Sequence, residues 1–489
     1  MKLREAAALV EARCPAEGDI DISRVTEDSR NAGPGALFVA ICGGQNDGHD
    51  FAESVRESGV AAIAGERGDI TSLAGMPYLC VNHARRALGV LAHELAGRPS
   101  DAMTVIGVTG TNGKTSTAFL IQHMLRSAGS SAANFGTLGY FVGDQSLDAS
   151  HTTPFGEELV GLFAKARDAC ATHVVMEVSS HALEQERIAG IAFNVAVITN
   201  VTQDHLDYHL TMDAYVTAKM KLFSRLGGDN AFGVVNLDDP YADTFRSALT
   251  ARCVTYGPGG DYRAENVSIA SDGSRFTLIT PAGTARVRSA LAGRHNVANV
   301  LAASAVAGGL GLGFDQIVAG IEGFTSVPGR FERVEAGQDF SVVVDYAHTD
   351  DGLRNVLATA RELGPVRLIV VFGCGGDRDR GKRPKMGAVA AELGDYVIIT
   401  SDNPRSEDPS QIVSEIETGV RGKQVSGTHH EVILDRERAI RRAIGMASTG
   451  DLVMIAGKGH EGYQILGANR IHFDDREVAR AALESRRQS

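Results

Sequence analysis

The sequence predicts an α/β protein of about three domains with mostly parallel sheets, and three observations lead there. The chain has 489 residues, too many for one ordinary domain. Apolar strand-like runs alternate with amphipathic helical stretches along most of its length. In the last third, each strand runs into a polar loop at its carboxyl end, the edge where open α/β sheets bind ligands.

The first ~100 residues hold "GALFVAI", a helical stretch from Phe51 to Ser58, "VAAIA", "YLCV" and the helix "ARRALGVLAHELAG". "GRPS", before Asp101, reads as a boundary. The middle segment opens with strand "TVIGV" and helix "KTSTAFLIQHMLRSAG", where Ala118, Ile121, Leu125 and Ala128 share a face and Gly129 caps the end. "THVVMEV", "NVAVITNV" and "FGVVNL" follow as strands. From Tyr262 to Arg288 the texture changes to short antiparallel hairpins, closed by the helix "NVANVLAASAVAGGL". "SVPGRFE" marks a second boundary. Beyond it come "FSVVVDYA", "VRLIVVFG", "YVIIT" and "DLVMIAG", with loops "HTDDG", "CGGDRDRGKRP", "SDNPRSEDP" and "KGHEGY".

Composition narrows the function classes. Hydrophobic residues are 43% and charged residues 22%, ordinary for a soluble globular chain. Glycine numbers 56 and proline 13, so glycine loops rather than proline-rich linkers punctuate it. A formal charge of −12 argues against nucleic acid as the main partner. Cys14, Cys42, Cys80, Cys170, Cys253 and Cys374 lack paired or metal-type spacing, which argues against structural disulfides and a zinc site. "MKLREAAALVEARC" has no long apolar region and does not read as a signal peptide, and no run approaches the ~20 apolar residues of a membrane span. A cytoplasmic protein is expected.

The strongest motif is "MTVIGVTGTNGKTST", Met103 to Thr117. Backbone N–H groups across Gly110, Thr111, Asn112, Gly113, Lys114, Thr115 and Ser116 suit phosphate oxygens, with the helix N-terminus behind them. Lys114 would reach the β- and γ-phosphates and the Thr115 hydroxyl a Mg²⁺. The strict P-loop string fails because Val108 stands where its first glycine belongs; that and the lack of N-K-x-D argue against an ordinary GTPase or motor ATPase. Glu177 ends an apolar strand, either as a satisfied strand-end acid or as a metal-side ligand. Asp204, His205, Asp207 and His209 cluster after another strand, which suits metal or acid–base work. Lys219 in "TAKMKLF" reads as an ordinary solvated helix lysine, and Asn296, near Asn299 at a helix start, as a possible cap.

"GVTGTNGKTS", "MEVSSHAL", "DHLDYH", "AKMKLF", "GRHNVANVLAA", "GRFE", "DYAHT", "FGCGGDRDRGKRP", "SDNPR" and "GKGHE" occur in the order found in the Mur ligases. The chain resembles that family from Asp28 to Glu461, in particular the type that adds the third residue of the peptidoglycan stem peptide. The resemblance implies a UDP-substrate domain (1–100), a central ATP-binding domain (101–327) and a Rossmann-like C-terminal domain that brings the amino acid (328–489). It implies ATP-dependent ligation through an acyl phosphate, with a first Mg²⁺ held by Thr115 and Glu177 and a second by His205, and with Lys219 carbamylated into an oxygen ligand. Only a lysine of lowered pKa, hence partly neutral, could react with CO₂. By the same resemblance Asn296 lies near adenine, Arg330 near the phosphates, Asp345 on the ribose and His348 nearby. Ser29, Thr152, Thr153, Ser179, Gln185 and Arg187 would contact the UDP-sugar peptide, UDP-MurNAc-L-Ala-D-Glu, and "GGQNDGHDF" its uridine side. The expected assembly is a monomer binding small-molecule substrates.

Within the family, "DNPR" (Asp402, Asn403, Pro404, Arg405) accompanies meso-diaminopimelate, whereas lysine-adding relatives lack the arginine. Diaminopimelate carries a distal carboxylate that a guanidinium can grip with two parallel hydrogen bonds, and lysine does not. Arg378, Gly457 and Glu461 match the family's other contacts to this amino acid. Three departures stand out: Asp350 and Gly352, where relatives commonly carry proline and alanine, are expected to loosen their loop; His151 replaces a frequent asparagine; Gly462 replaces a frequent acid. The rival readings are a lysine-adding, D-Ala-D-Ala-adding or folylpolyglutamate-type ligase, and a regulatory P-loop ATPase without ligation.

Overall fold

The computed structural model describes the chain except residues 16–17, 44–45, 69, 271, 424–428 and 489. Each third of the sequence builds its own sheet. The first has five strands, with Ala36–Ala40 at full burial between parallel neighbours Arg24–Thr26 and Ala62–Gly65. The central sheet has eight, in the order 252–256, 232–236, 195–198, 104–109, 173–177, 132–136, 139–142, 145–147. It is parallel up to Ala132–Gly136 and closes with two antiparallel edge strands. The last has six, in the order 332–333, 341–345, 452–456, 368–372, 396–399, 429–432.

Parallel strands are covered by helices on both faces, so they read as unbroken apolar runs. "VAVI", "LIVVF" and "LVMIA" are buried at every position. The helix Lys114–Ser127 buries Ala118, Ile121, Met124 and Leu125 against the helix Arg294–Gly309. Each fully buried Ile or Leu there stabilises by about 1.5–3 kcal/mol. Gly129 ends that helix in the left-handed region, φ +92°, and its N–H donates to Arg126 O at 2.9 Å. The hairpin texture folds as predicted into three antiparallel strands, Arg263–Ala270, Gly273–Thr280 and Gly283–Ser289, whose Phe276, Leu278 and Val287 join the same core. Among the described residues no helix is long and apolar enough to cross a membrane.

Strand order places the polar loops. In the central sheet the adjacent strands 195–198, 104–109 and 173–177 deliver to one edge the loop after Ile198, the "GTNGKT" loop and Glu177. In the last sheet the adjacent strands 341–345, 452–456, 368–372 and 396–399 deliver Asp345, Gly457, Cys374 and Asp402 to another. The two domains meet there: Asn112 Nδ2 donates to Asp351 Oδ2 at 2.9 Å, and Lys385 Nζ to Gln203 Oε1 at 2.6 Å. Asp350 and Gly352 stand in the first turn of a helix rather than in an open loop. Thr349 caps a helix that begins at Asp350, its Oγ1 accepting from Gly352 N at 3.0 Å, and Asp350 suits the positive end of that helix.

One strained turn lies beside the histidine cluster. Leu210 has φ +66° and ψ −41°, and Thr211 N closes onto His209 O at 2.7 Å, a tight three-residue turn that L-residues rarely make. Leu210 is 78% exposed, so its side chain contributes little packing in return. Leu210→Gly is expected to stabilise the central domain by about 1 kcal/mol, the released backbone strain less the added chain entropy. Thermal unfolding checks it, and an unchanged or lower transition would mean that the leucine is held by contacts it makes in solution.

Candidate active site

The phosphate-type loop answers to glycine at two positions. A Cβ on Gly113 (φ +83°) would lie 2.4 Å from Asn299 Oδ1, and one on Gly110 (φ +147°) 1.8 Å from Thr199 Oγ1. Asn299 also takes the Thr117 hydroxyl at 3.3 Å and donates to Asn296 Oδ1 at 3.1 Å. The loop is thus clamped from the helix Arg294–Gly309 and from the strand end at Thr199. Asn296 is not a cap: the helix N-cap is Gly293, and Asn296 Nδ2 donates to Ala292 O at 2.8 Å from inside the first turn. Gly113→Ala is expected to lower kcat/KM for ATP by about 10²-fold or more, because misplacing a binding loop by an ångström costs that much. Titrating activity against ATP tests it; an unaffected variant would show that the clamp yields.

Lys114 folds over its own loop, Nζ donating to Gly110 O and Thr111 O at 2.9 Å each. Burial pushes its pKa down, while Glu177 and Asp204 pull it back. Beyond it, Thr115 Oγ1 donates to Glu177 Oε2 at 3.0 Å. Thr137 adds its N–H to Oε1 at 2.8 Å and its hydroxyl to Oε2 at 3.2 Å. Arg330 Nη2 reaches Thr115 Oγ1 at 3.1 Å, with its guanidinium 4.4 Å over the Tyr346 ring and its Nε buried without a partner. A hydroxyl and a buried carboxylate at a phosphate loop form a hard-oxygen donor set, which fits Mg²⁺, and the unpartnered Arg330 Nε fits an anion nearby.

Lys219 overturns its sequence reading as a solvated lysine. The side chain is buried in the helix Met212–Phe223, with Nζ 4.2 Å over the Tyr215 ring. Burial holds its pKa well below the usual lysine range, and nearby Lys114 pushes the same way. No salt bridge of Lys219 occurs among the described residues. His205 sits at a left-handed N-cap (φ +55°), with Nε2 3.5 Å from Asp204 Oδ2. Burial drives its pKa down, so its ring is neutral near pH 7. His181 lies edge-on against it, ring centres 4.7 Å apart, and is itself pushed down to about 4 by burial.

Thr152, Thr153, Ser179, Gln185 and Arg187 come together beside Glu177. Thr153 Oγ1 donates to Glu177 O at 2.9 Å and accepts from Ser179 N at 3.0 Å. Arg187 Nη1 donates to Thr153 O at 2.9 Å and Nη2 to Gln185 Oε1 at 2.7 Å, over the Phe155 ring. Thr152 Oγ1 lies 3.1 Å from Thr137 Oγ1. Among the described residues Ser29 makes no hydrogen bond to this group; it opens a short 3-10 turn capped by Asp28, although the neighbouring Glu27 feels the Arg187 charge. In "GGQNDGHDF", Gly44 and Gln45 lie outside the described residues.

In the last domain Asn403 Nδ2 donates to Glu461 Oε2 at 2.9 Å, and Lys458 Nζ to the same oxygen at 3.0 Å. Arg405 takes φ +53° and is stitched to Leu466 by Arg405 N to Ile465 O at 3.2 Å and Gly467 N to Arg405 O at 2.9 Å. Its Nη1 donates to Gly376 O at 2.8 Å. Pro404 O accepts from Glu407 N at 3.1 Å across the following turn, and a Cβ on Gly457 (φ +115°) would lie 2.8 Å from Asp402 Oδ2.

Three family models cover the chain in order: Mur ligase family, catalytic domain, over residues 21–95; Mur ligase middle domain, over 108–307; and Mur ligase, glutamate ligase domain, over 329–459. The protein named UDP-N-acetylmuramoyl-L-alanyl-D-glutamate--2,6-diaminopimelate ligase in Bacillus licheniformis is 46% identical over 472 residues, 95% of each chain. The protein of the same name in Syntrophomonas wolfei is 46% identical over 471 residues, 96% of each.

The chain belongs to the Mur ligase family.

A solved structure titled as that diaminopimelate ligase superposes with a TM-score of 0.71 at 33% identity, covering all of both chains. A MurF ligase from Thermotoga maritima in complex with ADP shares the fold, with a TM-score of 0.64 at 20% identity over 95% of this chain and 98% of its own.

As a Mur ligase the chain shows an uneven match between motif and geometry. Thr115, Glu177 and Arg330 form one hydrogen-bonded group within the field of Lys114, and Asn403 with Glu461 forms another. Asp345 is spent on backbone, accepting from Phe331 N at 2.6 Å and Ala347 N at 2.7 Å, and burial raises its pKa. His348 lies near it, pushed down to about 4 by burial, with Nδ1 3.0 Å from Tyr346 O. Arg378 stands apart: it is exposed, and its Nη1 donates to Asp377 O of its own loop at 3.0 Å. Residues absent from the sequence-based site are Thr137, Asn299, Asp351 and Lys458. Asn299 lies inside "GRHNVANVLAA", Asp351 inside "HTDDG" and Lys458 inside "GKGHE"; Thr137 carries no signal, because only the strand pairing 132–136 with 173–177 brings it to Glu177.

Proposed function

We propose that this Mur ligase joins meso-diaminopimelate to the D-Glu carboxylate of UDP-MurNAc-L-Ala-D-Glu, converting ATP to ADP and phosphate, in peptidoglycan precursor synthesis. The observation that carries this reading is similarity at 46% identity, over nearly the whole length, to proteins named for that reaction. The "DNPR" turn beside Glu461 supports the choice of amino acid, since Arg405 offers a fork to a distal carboxylate and Glu461 an anion to an ammonium.

The roles follow from local chemistry. The substrate carboxylate attacks the γ-phosphate and becomes an acyl phosphate; the amine then displaces phosphate and leaves an amide. Two anions must meet in the first half, so cations must screen both. Lys114 and Arg330 supply fixed positive charge at the phosphates, and the loop N–H groups from Gly110 to Ser116 orient them. Thr115, Glu177, His205 and carbamylated Lys219 would hold Mg²⁺, which when bound polarises the phosphoryl and acyl oxygens. Asn296, Asp345 and His348 serve the nucleoside. Thr152, Thr153, Ser179, Gln185, Arg187 and Ser29 serve the sugar peptide, while Arg378, Asp402, Asn403, Pro404, Arg405, Gly457 and Glu461 receive diaminopimelate. Domain limits of 1–100, 101–327 and 328–489, a monomeric state and a cytoplasmic location belong to the same reading.

Phosphate release measured with each substrate omitted tests it. Turnover is expected only with ATP, UDP-MurNAc-L-Ala-D-Glu and meso-diaminopimelate together; ATP hydrolysis indifferent to the other two, or equal use of L-lysine, would overturn it.

A further inference from the structure

We propose that Lys458 is a positioning residue for amino-acid specificity: it fixes and charges the Glu461 carboxylate so that one oxygen is offered to the incoming ammonium. This rests on the reading above that Glu461 faces diaminopimelate.

Lys458 lies in the loop after the strand Leu452–Ala456 and is fully buried, so its charge needs a reason. Nζ donates to Glu461 Oε2 at 3.0 Å and to Asn403 Oδ1 at 3.4 Å, and it lies 5.4 Å from the Tyr463 ring centre. Asn403 closes the triangle from the other side, its Nδ2 on the same Glu461 Oε2 at 2.9 Å and its Oδ1 accepting from Ile465 N at 2.9 Å. Two donors therefore saturate Oε2, while Oε1 has no hydrogen-bond partner among the described residues. A carboxylate held by one oxygen presents the other at a set angle.

The charge matters as much as the angle. Burial and the nearby Asp402 both favour the neutral form of Glu461, and Lys458 opposes them. A carboxyl group that took up a proton here would lose its attraction for an ammonium. Lys458 binds the carboxylate through Oε2, so it leaves Oε1 to be offered to the ligand. The same network ties the "GKGHE" loop to Asn403 of "DNPR".

The test is a double-mutant cycle with Lys458→Met and Glu461→Gln, read as KM for meso-diaminopimelate and KM for ATP. Lys458→Met is expected to raise KM for meso-diaminopimelate by about 30-fold or more, the loss usual for one partner of a buried charged pair. Its kcat and KM for ATP should stay within about 3-fold, and in the Glu461→Gln background the same change should add less than about 2-fold. Equal effects in both backgrounds, or a matching rise in KM for ATP, would reduce Lys458 to a structural residue and overturn the proposal. Should Lys458→Met not fold, Lys458→Gln, which keeps a donor without the charge, enters the same cycle under the same criteria. If the wild-type enzyme ligates meso-diaminopimelate while the cycle is additive, only the Lys458 inference fails; if the wild type does not ligate it, the functional reading fails.

Discussion

Lys219→Ala is expected to lower kcat by about 10²–10³-fold, the loss usual when one preorganised electrostatic group leaves an active site. The fold should survive, because the residue removed is a buried amine whose pKa lies well below its usual range and which has no salt bridge among the described residues. Leaving it charged and unpaired would be costly, which is why it is driven toward the neutral form whose nitrogen can attack CO₂. Short carboxylic acids are expected to restore part of the activity by supplying the missing oxygens in the space vacated. Two measurements separate this role from packing: thermal unfolding, which should change little, and rescue, which a packing residue would not show. A variant that turns over normally without added acid would refute the carbamate.

Arg405→Ala is the second large effect. KM for meso-diaminopimelate should rise by a factor of about 30 to several thousand, equivalent to about 2–5 kcal/mol for a partner lost from a desolvated charge pair. Only Nη1 has protein partners, Gly376 O and Asn403 O, among the described residues, so the rest of the fork is available to a ligand. The preference for meso-diaminopimelate over L-lysine should shrink in parallel, since the substituted site no longer rewards a distal carboxylate. Arg405→Lys should recover little, because a point charge cannot form two parallel bonds. Competition between the two amino acids reads the effect, and an unchanged ratio would move specificity elsewhere. Arg405 takes a positive φ, and Ala and Lys both carry a Cβ as Arg does, so the comparison is not confused by a change in backbone strain.

These two side chains were not equally legible in the sequence. Arg405 announced itself through a tetrapeptide after a strand, where ligand-facing loops belong. Lys219 looked like any helix lysine, since one helical turn cannot tell whether its outer face meets water or histidines from earlier in the same domain. His181 is similar: its neighbours in the chain say nothing of the ring it touches across 24 positions at His205.

The amino-acid sequence by itself determined the strands, the helices and the chemistry of the loops, because apolar periodicity and glycine placement act over a few residues and carry their own physics. It also placed the ligand-bearing loops at strand ends. Only the tertiary structure decided which loops face each other, that Asn299 and Thr199 clamp the phosphate loop, that Thr137 and Thr115 share Glu177, and that Lys458 backs Glu461. Those outcomes depend on strand order and burial, which are set by contacts between distant segments. The charge state of a group such as Lys219 follows from the dielectric around it, and that surrounding exists only once the chain has closed over it.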